Sequence, residues 1–201
     1  YAIGQYIRKA KKSAYWDNTI FLIVSDHNSR VYGSEIVPIE RFHIPGLILG
    51  GGIEPQRWRR VASQLDLLPT MLSLIGVGGM HPAPGIDLTR QDIDEIPGRA
   101  VMQFRDTQAY RLGNDVVVLR RDKPAAMYEY LDGRLVPAES DQSLLEHAKA
   151  VAAWPSIAYR RQLYRLPPSV LEGLDVAAAN ENRSNSTVQG SRKPTALSMV
   201  D

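Results

Sequence analysis

An Asp-His pair follows an apolar segment near the start of the sequence. Asp26 and His27 come directly after residues 19 to 25, a continuous run of apolar and β-branched side chains closed by a serine. Such a run is typical of a parallel strand that is buried on both faces. Open α/β sheets bind their ligands in the loops at the carboxyl ends of such strands. Carboxylate oxygen and imidazole nitrogen suit Zn²⁺ or Mn²⁺, so the pair is a candidate metal site.

An Asp-His dipeptide alone is a weak signal, because it occurs often by chance. Its position straight after a buried strand is what favours a metal role over an ordinary surface loop. His43 is a second candidate, for contact with an anionic substrate or for support of the metal ligands. The alternative for His43 is a structural histidine that forms a hydrogen bond near the start of the next strand. Arg30 lies close to the pair and could contact an anionic group, whereas the other arginines of this region fit a solvated face: Arg41, Arg57, Arg59 and Arg60.

The elements that would position these residues follow an α/β order. Residues 1 to 14 have the apolar spacing of an amphipathic helix, and residues 44 to 49 form a second short buried strand. A helix is predicted over residues 63 to 75, with Asp66 as its N-cap and Gly76 as its stop. Helix, strand, loop, strand and helix in succession predict a sheet flanked by helices.

The second half of the chain has a different texture. Residues 77 to 98 are rich in Gly, Pro and Asp and read as a surface excursion. Four short strand candidates between residues 100 and 131 are separated by turn residues such as Gly113-Asn114 and Asp132-Gly133, which predicts an antiparallel meander. A helical stretch over residues 141 to 165 is expected to be interrupted near Pro155. The Asn/Ser/Arg-rich tail from about residue 177 is expected to be disordered.

These boundaries divide the chain into four predicted parts. They are an α/β part over residues 1–98, an antiparallel β subdomain over residues 99–138, a helical segment over residues 139–176 and a disordered tail over residues 177–201. The fold class predicted is therefore α/β with an added small antiparallel β subdomain.

Composition excludes some classes of function. The 201 residues carry 24 basic and 22 acidic side chains, a net charge of +2 that makes no case for nucleic acid as a partner. There is no cysteine, so a disulfide, a Cys-based zinc site or a Cys nucleophile cannot come from these residues. No apolar run is long enough to span a bilayer. The first residue is Tyr1, without a signal peptide, and we expect a longer protein to continue upstream.

Four ordered segments carry a resemblance to a known family. Residues 16–27, WDNTIFLIVSDH, resemble a segment of sulfatases and of lipoteichoic-acid-synthase-like phosphoglycerol transferases, in the alkaline phosphatase superfamily. Residues 41–49, 60–72 and 84–88 resemble later segments of that family in the same order. The match covers about residues 1 to 90. It departs from the family at Asn28, where glycine is usual, although Asn also tolerates a left-handed backbone.

The resemblance implies the C-terminal part of an alkaline-phosphatase-like catalytic domain. Asp26 and His27 would be two ligands of a divalent Mn, Zn, Mg or Ca ion. An acidic ligand and a Thr, Ser or modified Cys nucleophile would come from a missing N-terminal half of the same protein. The implied enzyme is a sulfuric ester hydrolase, or a phosphoglycerol- or phosphoethanolamine-type transferase, acting on an anionic sulfate or phosphate ester.

Location and an alternative function complete the expectations. The transferase branch implies a parent anchored in the inner membrane, with its catalytic domain in the periplasm or outside the cell. The isolated chain would be inactive, because it lacks the nucleophile. The alternative is a truncated, non-catalytic relative or a structural module that binds metal weakly at most.

Overall fold

Two β-sheets and three α-helices make up the described part of the chain, residues 1–28, 33, 35–166, 198 and 199 of a computed structural model. The helices are α1 (Ala2–Ala10), α2 (Leu67–Leu74) and α3 (Gln142–Arg160). The first sheet contains β1 (Ile20–Val24), β2 (Gly46–Gly50), β3 (Arg57–Trp58) and β9 (Ser198–Met199). The second contains β4 (Arg99–Phe104), β5 (Thr107–Leu112), β6 (Asp115–Arg120), β7 (Ala126–Leu131) and β8 (Arg134–Pro137). Short 3₁₀ helices span Trp16–Asn18, Ile39–Phe42, Gln64–Asp66 and Ile93–Glu95. The α/β class predicted from the sequence is confirmed.

The first sheet has the order β1-β2-β9-β3. β1 pairs with β2 in antiparallel register, with Ile20 opposite Gly50 and Val24 opposite Gly46. The prediction of a parallel strand buried on both faces is therefore wrong for β1, which is only half-buried over its first four residues. An apolar run specifies a strand but not the direction of its partner, and here the following loop returns the chain in the opposite direction.

The tail predicted to be disordered lies mostly outside the described residues. Its one described element is β9, which pairs antiparallel with β2 and parallel with β3. Apart from these two residues, the tail of residues 177–201 for which disorder is predicted lies outside what the structure describes.

Helix α2 covers one face of the first sheet. Ile48 of β2, Leu74 of α2 and Leu88 form a buried cluster, against which Ile20 and Trp58 pack. The helix ends at Leu74, and Gly76, with a φ of 74°, closes a Schellman motif in which the amide of residue 77 bonds the carbonyl of residue 72. The predicted stop is confirmed, and the following residues 77 to 98 contain only a short 3₁₀ helix, as expected for an excursion.

The second sheet is the predicted meander, with neighbouring strands antiparallel in the order β4 to β8. The Asp132-Gly133 turn has φ values of 48° and 79°, which are typical of a two-residue hairpin loop. One strand was not among the sequence candidates, the four-residue β8 at the edge of the sheet. The meander therefore follows largely from turn residues that the sequence displays.

Both faces of the meander are covered. Strand alternation places Val116 and Val118 on one face, where they form a core with Val37 and Ile39 from the loop after β1. Val117 lies on the other face, in a second core that includes Leu144, Leu145 and Ala148 of α3. The meander thus joins the loop before β2 to the last helix.

Helix α3, over Gln142–Arg160, lies within the predicted helical stretch but lacks the predicted interruption. Asp141 caps it by accepting hydrogen bonds from the amides of Ser143 and Leu144, at 2.8 and 3.1 Å. The helix continues through Pro155 to Arg160, so the predicted interruption is wrong. A proline removes one hydrogen bond from the ladder, but its fixed φ is compatible with the helix, and the buried first half of α3 anchors the rest. None of the described helices has the length and hydropathy that a bilayer span requires.

Candidate active site

A cleft of about 950 Å³ brings together three of the predicted site residues. Asp26, His27 and His43 all line it, together with the segment from Trp58 to Leu67. The opposite wall comes from the meander and from α3, through residues 99 to 103, Arg111, Tyr130, Val151, Trp154 and Pro155. The meander is therefore part of the cleft lining.

The Asp26–His27 loop is tightly folded on itself. The His27 amide donates to Asp26 Oδ1 at 2.9 Å, and the Ser25 hydroxyl donates to the His27 carbonyl at 2.7 Å. His27 Nδ1 lies 2.6 Å from the Asn28 carbonyl, so this nitrogen carries a proton and donates it. Both side chains remain largely open to solvent, with 85% of Asp26 and 71% of His27 exposed.

This arrangement fits two ligands of one metal ion. With the proton of neutral His27 on Nδ1, Nε2 carries a free lone pair, and it lies 3.4 Å from Asp26 Oδ2. Two metal bonds of about 2.1 Å can join atoms up to roughly 4.2 Å apart, so one ion can contact both. Among the described residues no group of three or more His, Cys, Asp or Glu side chains could hold a metal.

Gln64 bonds the backbone of the Asp26–His27 loop. Its Nε2 donates to the carbonyl oxygens of Ser25 and Asp26, at 2.9 and 3.0 Å. Sequence reasoning missed this role, although Gln64 lies in one of the segments that resemble the sulfatase family. The contact spans 38 and 39 positions of sequence, so no local pattern could identify it. Because it touches the loop but not the proposed metal, Gln64 is a positioning residue.

Asp66 occupies the predicted N-cap position of α2, but its buried side chain forms a junction with other segments instead of a cap. Its side chain is not bonded to the first turn of α2. Instead, Asp66 Oδ2 accepts from the Ser63 amide at 2.8 Å, in a capping box around the 3₁₀ helix Gln64–Asp66. Asp66 Oδ1 accepts from the Ile86 amide at 2.8 Å and from Arg99 Nη2 at 3.1 Å. The carboxylate thus ties the segment that carries Gln64 to the excursion and to β4.

The remaining sequence candidates are placed differently. His43 is exposed in the cleft, immediately before β2, and only its backbone amide has a hydrogen bond among the described contacts, to the Glu40 carbonyl at 3.3 Å. Arg30 lies outside the described residues. Arg60 does not belong to a solvated face as predicted, because its guanidinium bonds the carbonyls of Ile93 and Ile96 and so fastens the excursion to the cleft.

Removing the Gln64 amide is expected to loosen the Asp26–His27 loop. In Gln64→Ala two hydrogen bonds to loop carbonyls are lost, each worth about 1 kcal/mol, so the His27 amide should exchange with solvent several-fold faster. Gln64→Glu should behave in the same way, because a carboxylate cannot donate to carbonyl oxygens. Hydrogen exchange followed by NMR measures this effect, and Gln142→Ala, which removes an exposed bond to Glu146 on α3, is the matched control. Unchanged exchange at His27 would contradict the positioning role.

Comparison with known proteins gives a family match and a related crystal structure. Residues 1–77 match the Sulfatase family model. A crystal structure of a protein in the alkaline phosphatase superfamily from Vibrio parahaemolyticus is 40% identical, with a TM-score of 0.74 over 83% of this chain. The alignment covers 41% of that protein, so this chain spans less than half its length.

A more distant match is to the crystal structure of Ps i-CgsB. It is 16% identical, with a TM-score of 0.49, over 94% of this chain and 47% of that one. A similarity at this level adds nothing to the assignment, which rests on the first two findings. The resemblance inferred from four sequence segments is confirmed: this chain is a relative of the sulfatases within the alkaline phosphatase superfamily.

Proposed function

We propose that this chain is part of a metal-dependent enzyme that cleaves or transfers a sulfate or phosphate ester group. The observation that carries the proposal is the pairing of His27 Nε2 with Asp26 Oδ2, 3.4 Å apart and open to the cleft. The metal is Mn²⁺, Zn²⁺, Mg²⁺ or Ca²⁺, and a His nitrogen beside a carboxylate suits the first two best. The substrate is an anionic ester.

The residues of this chain have distinct roles in the proposed site. Asp26 and His27 would hold the ion, which when bound lowers the pKa of a nucleophile and stabilises charge on the transferring group. The Asn28 carbonyl fixes the His27 tautomer, and Gln64 holds the backbone of the loop through its two hydrogen bonds to the Ser25 and Asp26 carbonyls. His43, exposed in the same cleft, would contact the anionic group of the substrate.

The remaining ligands and the nucleophile are proposed to come from the rest of the same protein. Structural zinc sites have four ligands, and catalytic ones have three from the protein plus water, so Asp26 and His27 make up half a site or somewhat more. The partner of this chain is therefore the other part of its own catalytic domain. We propose a membrane-anchored parent with this domain in the periplasm or outside the cell, by analogy with the transferase branch.

Mn²⁺ titration tests the metal site directly. We expect the 201-residue protein to bind Mn²⁺ weakly, with an affinity that Asp26→Ala and His27→Ala each lower by about tenfold or more, because each removes one of two ligands. Isothermal calorimetry and the EPR signal of free Mn²⁺ both measure this. Asp106→Ala, at an exposed turn outside the cleft, is the matched control. Equal Mn²⁺ affinity in all four proteins would refute the site.

The second candidate is a non-catalytic module with weak metal binding. It is favoured by the same count of two ligands among the described residues. Activity toward an aryl sulfate and bis-nitrophenyl phosphate, with Mn²⁺ present, separates the two candidates in the longest protein that can be expressed. Turnover that Asp26→Ala abolishes supports the enzyme, and its absence in a protein that includes the upstream half supports the module.

A further inference from the structure

Five arginines line the cleft, and they differ in how their charge is satisfied. Arg99 pairs with Asp66 at 3.1 Å, and Arg60 pairs with Asp94 at 3.1 Å. Arg41 and Arg59 are exposed, so water solvates their guanidinium groups. Arg111 is the exception, because it is half-buried in β5 and has no carboxylate within 4.0 Å among the described residues.

The environment of Arg111 leaves part of its guanidinium available. Its Nε donates to the Gly113 carbonyl at 2.7 Å, and its Cζ lies 4.7 Å from the centre of the Tyr130 ring. Within the described chain its two Nη atoms have no acceptor, and they are not among the side-chain atoms sealed away from solvent. Burial lowers the pKa of Arg111, which shows the cost of holding this charge without a counterion.

We propose that Arg111 binds an anionic group of the ligand, a sulfate or phosphate, in the meander wall of the cleft. The two free Nη atoms can donate to two oxygens of one oxyanion, while Tyr130 keeps the guanidinium plane in place. Arg111 lies beyond residue 77, where the family match ends, so that match assigns it no role. This inference rests on the proposed function in one respect. It takes the anion bound by Arg111 to be a second anionic group of the substrate, separate from the ester that reacts.

Anion binding can be measured without metal, which separates this inference from the proposed function. The probes are sodium sulfate and sodium phosphate, added in EDTA at an ionic strength kept constant with sodium chloride. The readout is the NMR resonance of the Arg111 Nε–H group. We expect a saturable shift for the wild-type protein, because EDTA removes any metal while the contact between Arg111 and the anion remains.

Variants at Arg111 complete the test. Arg111→Met keeps an apolar side chain against Tyr130 and should weaken sulfate and phosphate binding on the order of tenfold or more, whereas Arg111→Lys should retain part of it. Arg105→Met is the matched control, since Arg105 lies on the same sheet over Phe104 but outside the cleft.

Two results would overturn the inference. One is an Arg111 resonance that does not move at saturating phosphate, and the other is equal anion binding by Arg111→Met and the wild-type protein. If Arg111→Met does not fold, the wild-type resonance and Arg111→Lys still decide. If Asp26→Ala binds Mn²⁺ as tightly as the wild-type protein does, while the wild-type protein still binds sulfate and phosphate, only the metal proposal is rejected.

Discussion

Replacing Asp66 by alanine is expected to lower the free energy of unfolding by about 3–5 kcal/mol. Asp66 is 2% exposed and accepts hydrogen bonds from the Ser63 and Ile86 amides and from Arg99. Its removal leaves two amides without acceptors and leaves the Arg99 charge, whose side chain is 12% exposed, without its carboxylate. Urea unfolding followed by circular dichroism measures the change.

An exposed ion pair of the same kind gives the control for Asp66. Asp94 pairs with Arg60 at the same 3.1 Å, but 90% of its side chain is exposed. Asp94→Ala should therefore cost no more than about 1 kcal/mol. A loss below about 1 kcal/mol for Asp66→Ala as well would show that the junction contributes little to stability.

Gly85→Ala is expected to be as damaging, for a steric reason. A Cβ at this position would overlap the backbone carbonyl of Leu65 and approach the Asp66 Cα to 2.9 Å. Both obstacles are backbone, so no side-chain rotation relieves the clash, and the excursion must move away from the segment that carries Asp66. We expect a loss of at least about 3 kcal/mol and a lower Tm.

Gly78 offers the matched substitution in the same excursion. A Cβ there would meet nothing within 4 Å, and its φ is not in the left-handed region. Gly78→Ala should therefore leave stability unchanged or raise it by up to about 1 kcal/mol, because alanine lowers the conformational entropy of the unfolded chain. Equal losses of stability at both glycines would mean that the close approach of Gly85 to the backbone of Leu65 and Asp66 does not hold the excursion in place.

Much of this fold could be predicted because its signals are local. The turns of the meander are encoded by pairs such as Asp132-Gly133, and the stop of α2 by a single glycine. The direction of β1 could not be predicted, because its apolar residues suit a parallel or an antiparallel neighbour equally. The continuation of α3 through Pro155 depends on the burial of the preceding turns, which the local sequence does not display.

The candidate site also contains residues that the sequence reveals and residues that it does not. Asp26 and His27 are adjacent, and their position after a strand makes them visible in the sequence. Gln64 acts on residues 38 and 39 positions away, and Asp66 binds Arg99 across 33 positions. Arg111 stands out only after the charge partners of the other arginines in the cleft are known. Such long-range pairing leaves no trace in one sequence read alone.

The two cores on the meander have a consequence for the width of the cleft. One core holds the sheet to Val37 and Ile39, just ahead of His43, and the other holds it to α3. To widen the cleft, the meander and α3 would have to separate together from the packed side chains of Val37 and Ile39, which costs far more than turning a loop. We therefore expect the cleft to keep a nearly constant width, so that the size of a molecule limits its entry.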